Sequence, residues 1–244
     1  MKKTLLFSLL IVASFGIATV KAQTANEADD IINKHVEAIG GVENWKKVNS
    51  VVQTGTMMVQ GLNLDLVVTT LHNKGMRQDI VAMGMTNYMI LTPTAGWRFF
   101  PIQGQQAAEA LTEDDVKDGV DGLDAQGSLV DYKAKGHSVE LLGKEDVDGT
   151  ECFKIKLNLK SGKTETFYID PKTYLIVKST RVMKANGQEA EMTTGFSNYQ
   201  KLPEGISVPM SLSIPLGPGM NADFTISKVE VNKAIDESIF KPSN

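Results

Sequence analysis

Residues 151–159 read ECFKIKLNL, and this stretch decides the fold class. Its apolar residues Phe153, Ile155 and Leu157 alternate with polar ones, which is the two-residue period of a strand with one buried face. Cys152, the single cysteine of the chain, belongs to the same stretch and is interpreted as a half-buried strand residue. Because one cysteine cannot form an intrachain disulfide, the fold must be held together by its apolar core.

The same alternation recurs along residues 50–100 and 137–231. Turn residues separate the apolar runs at intervals of roughly ten residues, which is typical of an antiparallel meander. About eleven strands are predicted. The alternation changes phase between Ile226 and Val229, and this shift predicts a β-bulge. We therefore predict a mainly β (α+β) chain with a single domain at residues 23–244.

Two segments carry a helical pattern instead. Apolar residues recur at helical spacing within residues 26–39, and we place His35 at the surface or boundary of this helix. The second helix is predicted at residues 113–124, capped by Thr112 and acidic in its first turn. Gly119 and Gly122 weaken this helix, so it is either a lid or an ordinary connector packed on the sheet.

The first 22 residues are typical of a secretory signal peptide. Lys2 and Lys3 precede an apolar run that ends in Val20-Lys21-Ala22, with small residues at the −3 and −1 positions of a cleavage site. No cysteine lies at the predicted cut after Ala22, so we expect no lipid anchor. The chain is expected to be free in the periplasm.

The charge pattern restricts the partners. A formal net charge of −4 argues against nucleic acid, which needs a basic surface. Basic residues concentrate within residues 133–184, which form either a solvated β surface or a weakly basic docking face for an acidic partner. The three histidines lie far apart, and no pattern of catalytic or metal-binding residues can be assembled. We expect no enzymatic activity, no cofactor and no metal site.

Methionine and aromatic residues concentrate between residues 57 and 100. Six of the eleven methionines lie there, followed by three aromatic residues. Flexible, polarizable methionine side chains suit either core filling or a pocket for ligands of varied shape. Few helices cover many strands, so an apolar hollow is predicted over a strongly curved sheet. Its predicted lining residues are Leu64, Leu66, Met83, Met85, Trp97, Phe99, Phe153, Phe224 and Ile226.

Four segments together resemble the outer membrane lipoprotein-sorting proteins, the LolA/LolB-like family. They are residues 28–41, 96–101, 148–157 and 168–178. The resemblance implies an unclosed barrel made from one highly curved antiparallel sheet, with helices over its concave face and acyl chains in the hollow. It also implies a strand arginine that ties down the lid helices, for which Arg77 and Arg98 are the candidates.

The resemblance leaves two functions open. One is a soluble, monomeric periplasmic carrier that binds the acyl chains of lipoproteins or related lipids. Such a carrier would dock transiently to membrane-associated donor and acceptor proteins. The alternative is a lipid-binding module of the same fold that does not transport, such as an envelope-stress sensor.

Overall fold

The computed structural model describes residues 15–185, 188–217 and 220–242. The helices are α1 (Phe15–Ala38), α2 (Val42–Trp45) and α3 (Glu113–Gly119), with 3-10 turns at Pro101–Gln103, Val120–Leu123 and Glu237–Phe240. The strands are β1 (Ser50–Val59), β2 (Leu62–Leu71), β3 (Gly75–Ala82), β4 (Met85–Leu91), β5 (Gly96–Phe99), β6 (Glu109–Ala110), β7 (Ser138–Val147), β8 (Thr150–Asn158), β9 (Thr164–Ile169), β10 (Ile176–Ala185), β11 (Gln188–Lys201), β12 (Ser207–Gly217) and β13 (Met220–Val231).

All thirteen strands form one antiparallel sheet in the order β6-β5-β4-β3-β2-β1-β13-β12-β11-β10-β9-β8-β7. The end strands β6 and β7 do not pair with each other, so the sheet is not closed. The predicted fold class, mainly β with an unclosed sheet, is confirmed. The strand number exceeds the predicted eleven, since an element as short as the two-residue β6 is too short to show alternation.

The first and last parts of the sheet meet where β1 pairs with β13. Thr54 pairs with Lys228 whereas Gly55 pairs with Ile226, so Ser227 is the extra residue of a bulge. The bulge predicted between Ile226 and Val229 is confirmed. The hydroxyl Oγ of Ser227 donates a hydrogen bond to the carbonyl of Thr54 at 3.1 Å. A Cβ at Gly55 would lie 2.1 Å from the carbonyl oxygen of Thr225, so only glycine fits this junction.

The strand register defines one face of the sheet, because directly paired residues of neighbouring strands point to the same side. We call this the inner face, and it carries Leu64, Met57, Phe224, Leu212, Phe196, Thr194, Ser179, Phe167 and Ile155 in cross-strand order. Buried side chains of α1 pack against Ile155 and Phe167, and Val116 of α3 packs against Leu91. Leu91 lies on the same face through Met76. Both covering helices therefore lie on the inner face.

The structure contains both predicted helices with altered bounds. The helix predicted at residues 26–39 forms the C-terminal part of α1, which begins earlier, at Phe15. Residues 1–14 lie outside the described residues, and the cut after Ala22 stays a prediction. The helix predicted at residues 113–124 is divided into α3 and the 3-10 turn Val120–Leu123. Thr112 caps α3 as expected, in a reciprocal pair with Asp115.

The C-terminal segment covers part of the opposite, outer face. Phe240 is 5% exposed and packs with Tyr88 and Ile90. Trp97 and Phe99 pair with these two strand residues and pack into the same cluster.

Cys152 on β8 is fully buried rather than half-buried, and burial raises the pKa of its thiol. Among the helices in the described part of the chain, none combines the length and apolarity needed to span a bilayer.

We expect Gly55→Ala to lower the free energy of unfolding by about 1–3 kcal/mol, because its methyl group meets a backbone oxygen that the bulge holds in place. Gly122→Ala is the control, since a Cβ there has no heavy atom within 4 Å. Its effect should stay below about 1 kcal/mol. Chemical denaturation measures both. Equal stabilities would contradict the role assigned to this junction.

Candidate ligand-binding site

A cavity of about 200 Å³ lies between the inner face and the segments that cover it. The covering segments contribute His35, Ile39, Trp45, Gln126, Gly127, Ser128, Leu129 and Val130, and the sheet contributes Phe167, Ile176, Phe196, Tyr199, Ser207 and Pro209. Most of these side chains are apolar, and none is an acid, a lysine or an arginine. The cavity therefore suits an uncharged, mainly hydrocarbon ligand.

The roof of the cavity is fixed by hydrogen bonds to the backbone. Gln126 donates from Nε2 to the carbonyls of Lys46 and Val48, at 3.3 and 3.2 Å. Lys135 donates from Nζ to the Asp124 carboxylate at 2.5 Å and to the Gly127 carbonyl at 2.8 Å. The Gln126 bonds tie the loop after the 3-10 turn to the segment that follows α2, and the Lys135 bonds tie it to the segment before β7. Because these bonds already hold the loop in place, its apolar side chains face the core at little further cost in conformational entropy.

Two buried polar side chains line the otherwise apolar cavity. His35 is 3% exposed, and its Nδ1 lies 2.8 Å from the carbonyl oxygen of Tyr174. Burial lowers the pKa of His35, so the ring is neutral near pH 7. Tyr199 donates its hydroxyl proton to the Ile176 carbonyl at 2.9 Å. Burial raises the pKa of Tyr199, so it keeps that proton.

A second, polar cavity of about 270 Å³ adjoins the first, since Ser128 lines both. Its lining includes Asp121, Lys163, Glu165 and Arg181. Glu165 is half-buried, and burial raises the pKa of its carboxyl group. The site under the covering segments is thus amphipathic, with an apolar part and a charged part.

Lys163 fastens the lid, by which we mean α3 and the 3-10 turn Val120–Leu123. Its Nζ donates to the carbonyls of Lys117 and Asp118, the second at 3.1 Å. It also pairs with the Asp121 carboxylate at 2.9 Å. Apolar packing of the lid is limited to a small cluster around the buried Val116 and Leu123. Polar contacts therefore hold much of this segment in place.

The predicted lining residues are spread over both faces of the sheet. Six lie on the inner face: Leu64, Leu66, Met85, Phe153, Phe224 and Ile226. Met83 lies in the turn between β3 and β4 and is 89% exposed. None of the nine is among the residues that line the 200 Å³ cavity in the described part of the chain.

Trp97 and Phe99 lie on the outer face, which corrects their predicted place in the hollow. They pair with Ile90 and Tyr88, and the C-terminal residue Phe240 packs with this cluster. Alternation along β5 is compatible with either face. The C-terminal segment that covers these residues lies far away in the sequence. The strand alone therefore does not reveal which of its faces is covered, or by what.

The two candidate arginines make other contacts than the resemblance implies. Arg77 donates to the Ile239 carbonyl at 3.0 Å and pairs with Asp79 at 2.8 Å, so it holds the C-terminal 3-10 turn. Arg98 pairs with the Glu109 carboxylate at 3.1 Å, and both side chains are about half exposed. Side-chain contacts to the lid come from Lys163 and Ser161 instead.

The polar residues of the cavity are not among the predicted lining residues. His35 is predicted at the surface or boundary of the helix, yet it lies on the buried side of α1 between Ile31 and Ile39. Its spacing of four residues from each of these was the available signal. For Gln126, Ser128 and Tyr199, no local pattern separates a cavity residue from an ordinary loop or strand residue.

Comparison with solved structures identifies the fold. A domain assigned to the outer membrane lipoprotein-sorting proteins, from Vibrio parahaemolyticus, has a TM-score of 0.56 and 13% identity, covering 88% of this chain and 97% of that chain. A DUF1329 family protein from Desulfovibrio piger has a TM-score of 0.56 and 13% identity, covering 89% and 97%. A LolA superfamily protein from Nitrosomonas europaea has a TM-score of 0.55 and 13% identity, covering 88% and 97%.

Sequence comparison gives two further results. No curated protein matches the chain. A family model described as "Uncharacterized protein" matches residues 121–244, which is just over half of the chain. The chain belongs to the family of that model, and its fold is the one shared by the LolA superfamily and the outer membrane lipoprotein-sorting domain.

Proposed function

We propose that this protein is a soluble periplasmic carrier that binds acyl chains of lipoproteins or related lipids and moves them between membranes. The observation that carries the proposal is the apolar cavity between the inner face and its covering segments. The fold shared with a lipoprotein-sorting domain supports it. Each methylene moved from water into such a cavity contributes about 0.8 kcal/mol, so a chain of about ten would bind in the micromolar range.

The cavity must widen to hold a full acyl chain. Its volume of about 200 Å³ is below the roughly 300–1,000 Å³ of sites that bury a drug-sized ligand. Trp45 lines the cavity and also packs against the neighbouring apolar cluster that contains Leu66, Phe224 and Ile226. Movement of the Trp45 side chain would extend the cavity toward this packed cluster, whose side chains would separate to receive the chain. The predicted role of these inner-face residues as lining is thus part of the proposal.

Entry and release require the lid to move. Strand pairs are held by continuous ladders of hydrogen bonds, whereas the lid is held by a few polar contacts and a small apolar cluster. Segments of this kind open at a lower free energy than the core. The lid lines the adjoining polar cavity through Asp118, Asp121 and Gly122, so its opening would admit and release the chain past Ser128, which lines both cavities.

We expect Phe196→Glu to weaken binding of a fluorescent acyl probe by tenfold or more, because a carboxylate in the apolar cavity opposes burial of the chain. Phe99→Glu is the matched control, since this half-buried phenylalanine lies on the outer face. Fluorescence titration measures affinity, and thermal unfolding confirms that each variant is folded. Equal loss of affinity in both variants would move the site elsewhere, and a wild-type protein that takes up no probe would overturn the proposal.

Probe-loaded protein should also deliver its ligand to unloaded phosphatidylethanolamine vesicles. A carrier gives up the probe, whereas a binding module of the same fold retains it. Loss of fluorescence on addition of vesicles measures the transfer. Retention of the probe over hours would favour the alternative of a sensor that does not transport.

We expect Lys163→Met to speed both uptake and release of the probe several-fold, because it removes the cation that fastens the lid while keeping the length of the side chain. Lys160→Met is the control, since Lys160 is exposed and close in sequence. Stopped-flow fluorescence measures both rates. Unchanged rates in Lys163→Met would show that the lid does not limit exchange.

A further inference from the structure

The contact of His35 with Tyr174 fixes the tautomer of the histidine ring. Nδ1 lies 2.8 Å from the carbonyl oxygen, and a carbonyl can only accept a hydrogen bond. Nδ1 must therefore carry the proton and donate it. Because burial keeps the ring neutral, Nε2 has no proton and acts only as an acceptor.

Within the described residues, the hydrogen bond of His35 is made through Nδ1, and Nε2 is not among the fully enclosed atoms that lack a partner. The side chain is 3% exposed, and its ring lines the apolar cavity. The hydrogen bond to Tyr174 uses the other nitrogen, on the opposite side of the ring. Because His35 lines the cavity, this acceptor can take a hydrogen bond from a donor on a bound ligand.

Tyr199 offers a group of the same kind. Its hydroxyl proton goes to the Ile176 carbonyl, so the oxygen can only accept a further hydrogen bond. Among the described residues, the lysine and arginine side chains of the site lie in the adjoining polar cavity and not in this apolar lining. A carboxylate beside His35 would lose its hydration without gaining a counter-ion, which disfavours fatty acids whose ionised end lies at this position.

We propose that the cavity selects uncharged acyl chains whose polar end carries a hydrogen-bond donor, an amide N–H or a hydroxyl, and that His35 Nε2 receives this donor. This inference rests on the proposed function, since it assigns the ligand class of the same cavity. His35 is then the residue that sets the depth of the chain, because the donor must stop beside it.

The test compares N-methyldodecanamide with N,N-dimethyldodecanamide, which has the same chain and carbonyl but no N–H. Displacement of a fluorescent acyl probe from the wild-type protein measures both affinities. The wild-type protein should prefer the N–H compound by about tenfold. The preference should nearly vanish in His35→Leu, persist in part in His35→Gln, and remain in the control His137→Leu.

The outcomes separate this inference from the carrier proposal. If both amides bind the wild-type protein equally, the inference is wrong while the carrier proposal stands. The same conclusion follows if His35→Leu keeps the full preference. If neither amide displaces the probe and no probe binds, the carrier proposal itself fails. Should His35→Leu not fold, the wild-type comparison of the two amides decides alone.

Discussion

The fold depends on one constraint, which is that an unclosed thirteen-strand sheet must bury a large apolar face with few covering segments. Ile31, Ile32 and Val36 of α1 cover β8 and β9, and Leu129 and Val130 cover the region beside them. Val116 and Leu123 cover β4. These segments pack on the sheet in separate clusters, and a gap remains beside them. The apolar cavity is this gap.

Stability and ligand exchange depend on two different kinds of contact. The sheet is continuous from β6 to β7, and its two halves meet at the bulge of Ser227 and Gly55. The lid over the same face is fastened by Lys163 and by a small apolar cluster. A rigid sheet beside a weakly fastened lid allows a ligand to enter without disturbing the core.

Local sequence patterns predicted the strands and helices well. They did not predict which distant segments cover each face of the sheet. Alternation in residues 151–159 and the phase change after Ile226 predicted strands and a bulge that the structure contains. Alternation does not say which face is covered, so Trp97 and Phe99 were assigned to the wrong one. The setting of His35 depends on the carbonyl of Tyr174, 139 residues away, which no local pattern reveals. The cavity likewise joins segments from α1 to β12.

Acyl chains are proposed to bind between the inner face and its covering segments. Photo-crosslinking with a diazirine placed near the end of an acyl probe, followed by peptide mass spectrometry, locates the bound chain. We expect labels on the peptides that contain Leu129, Ile176 or Phe196, and their loss when unlabelled dodecanamide competes. Competed labelling confined to the outer-face peptides around Phe99 and Phe240 would contradict it.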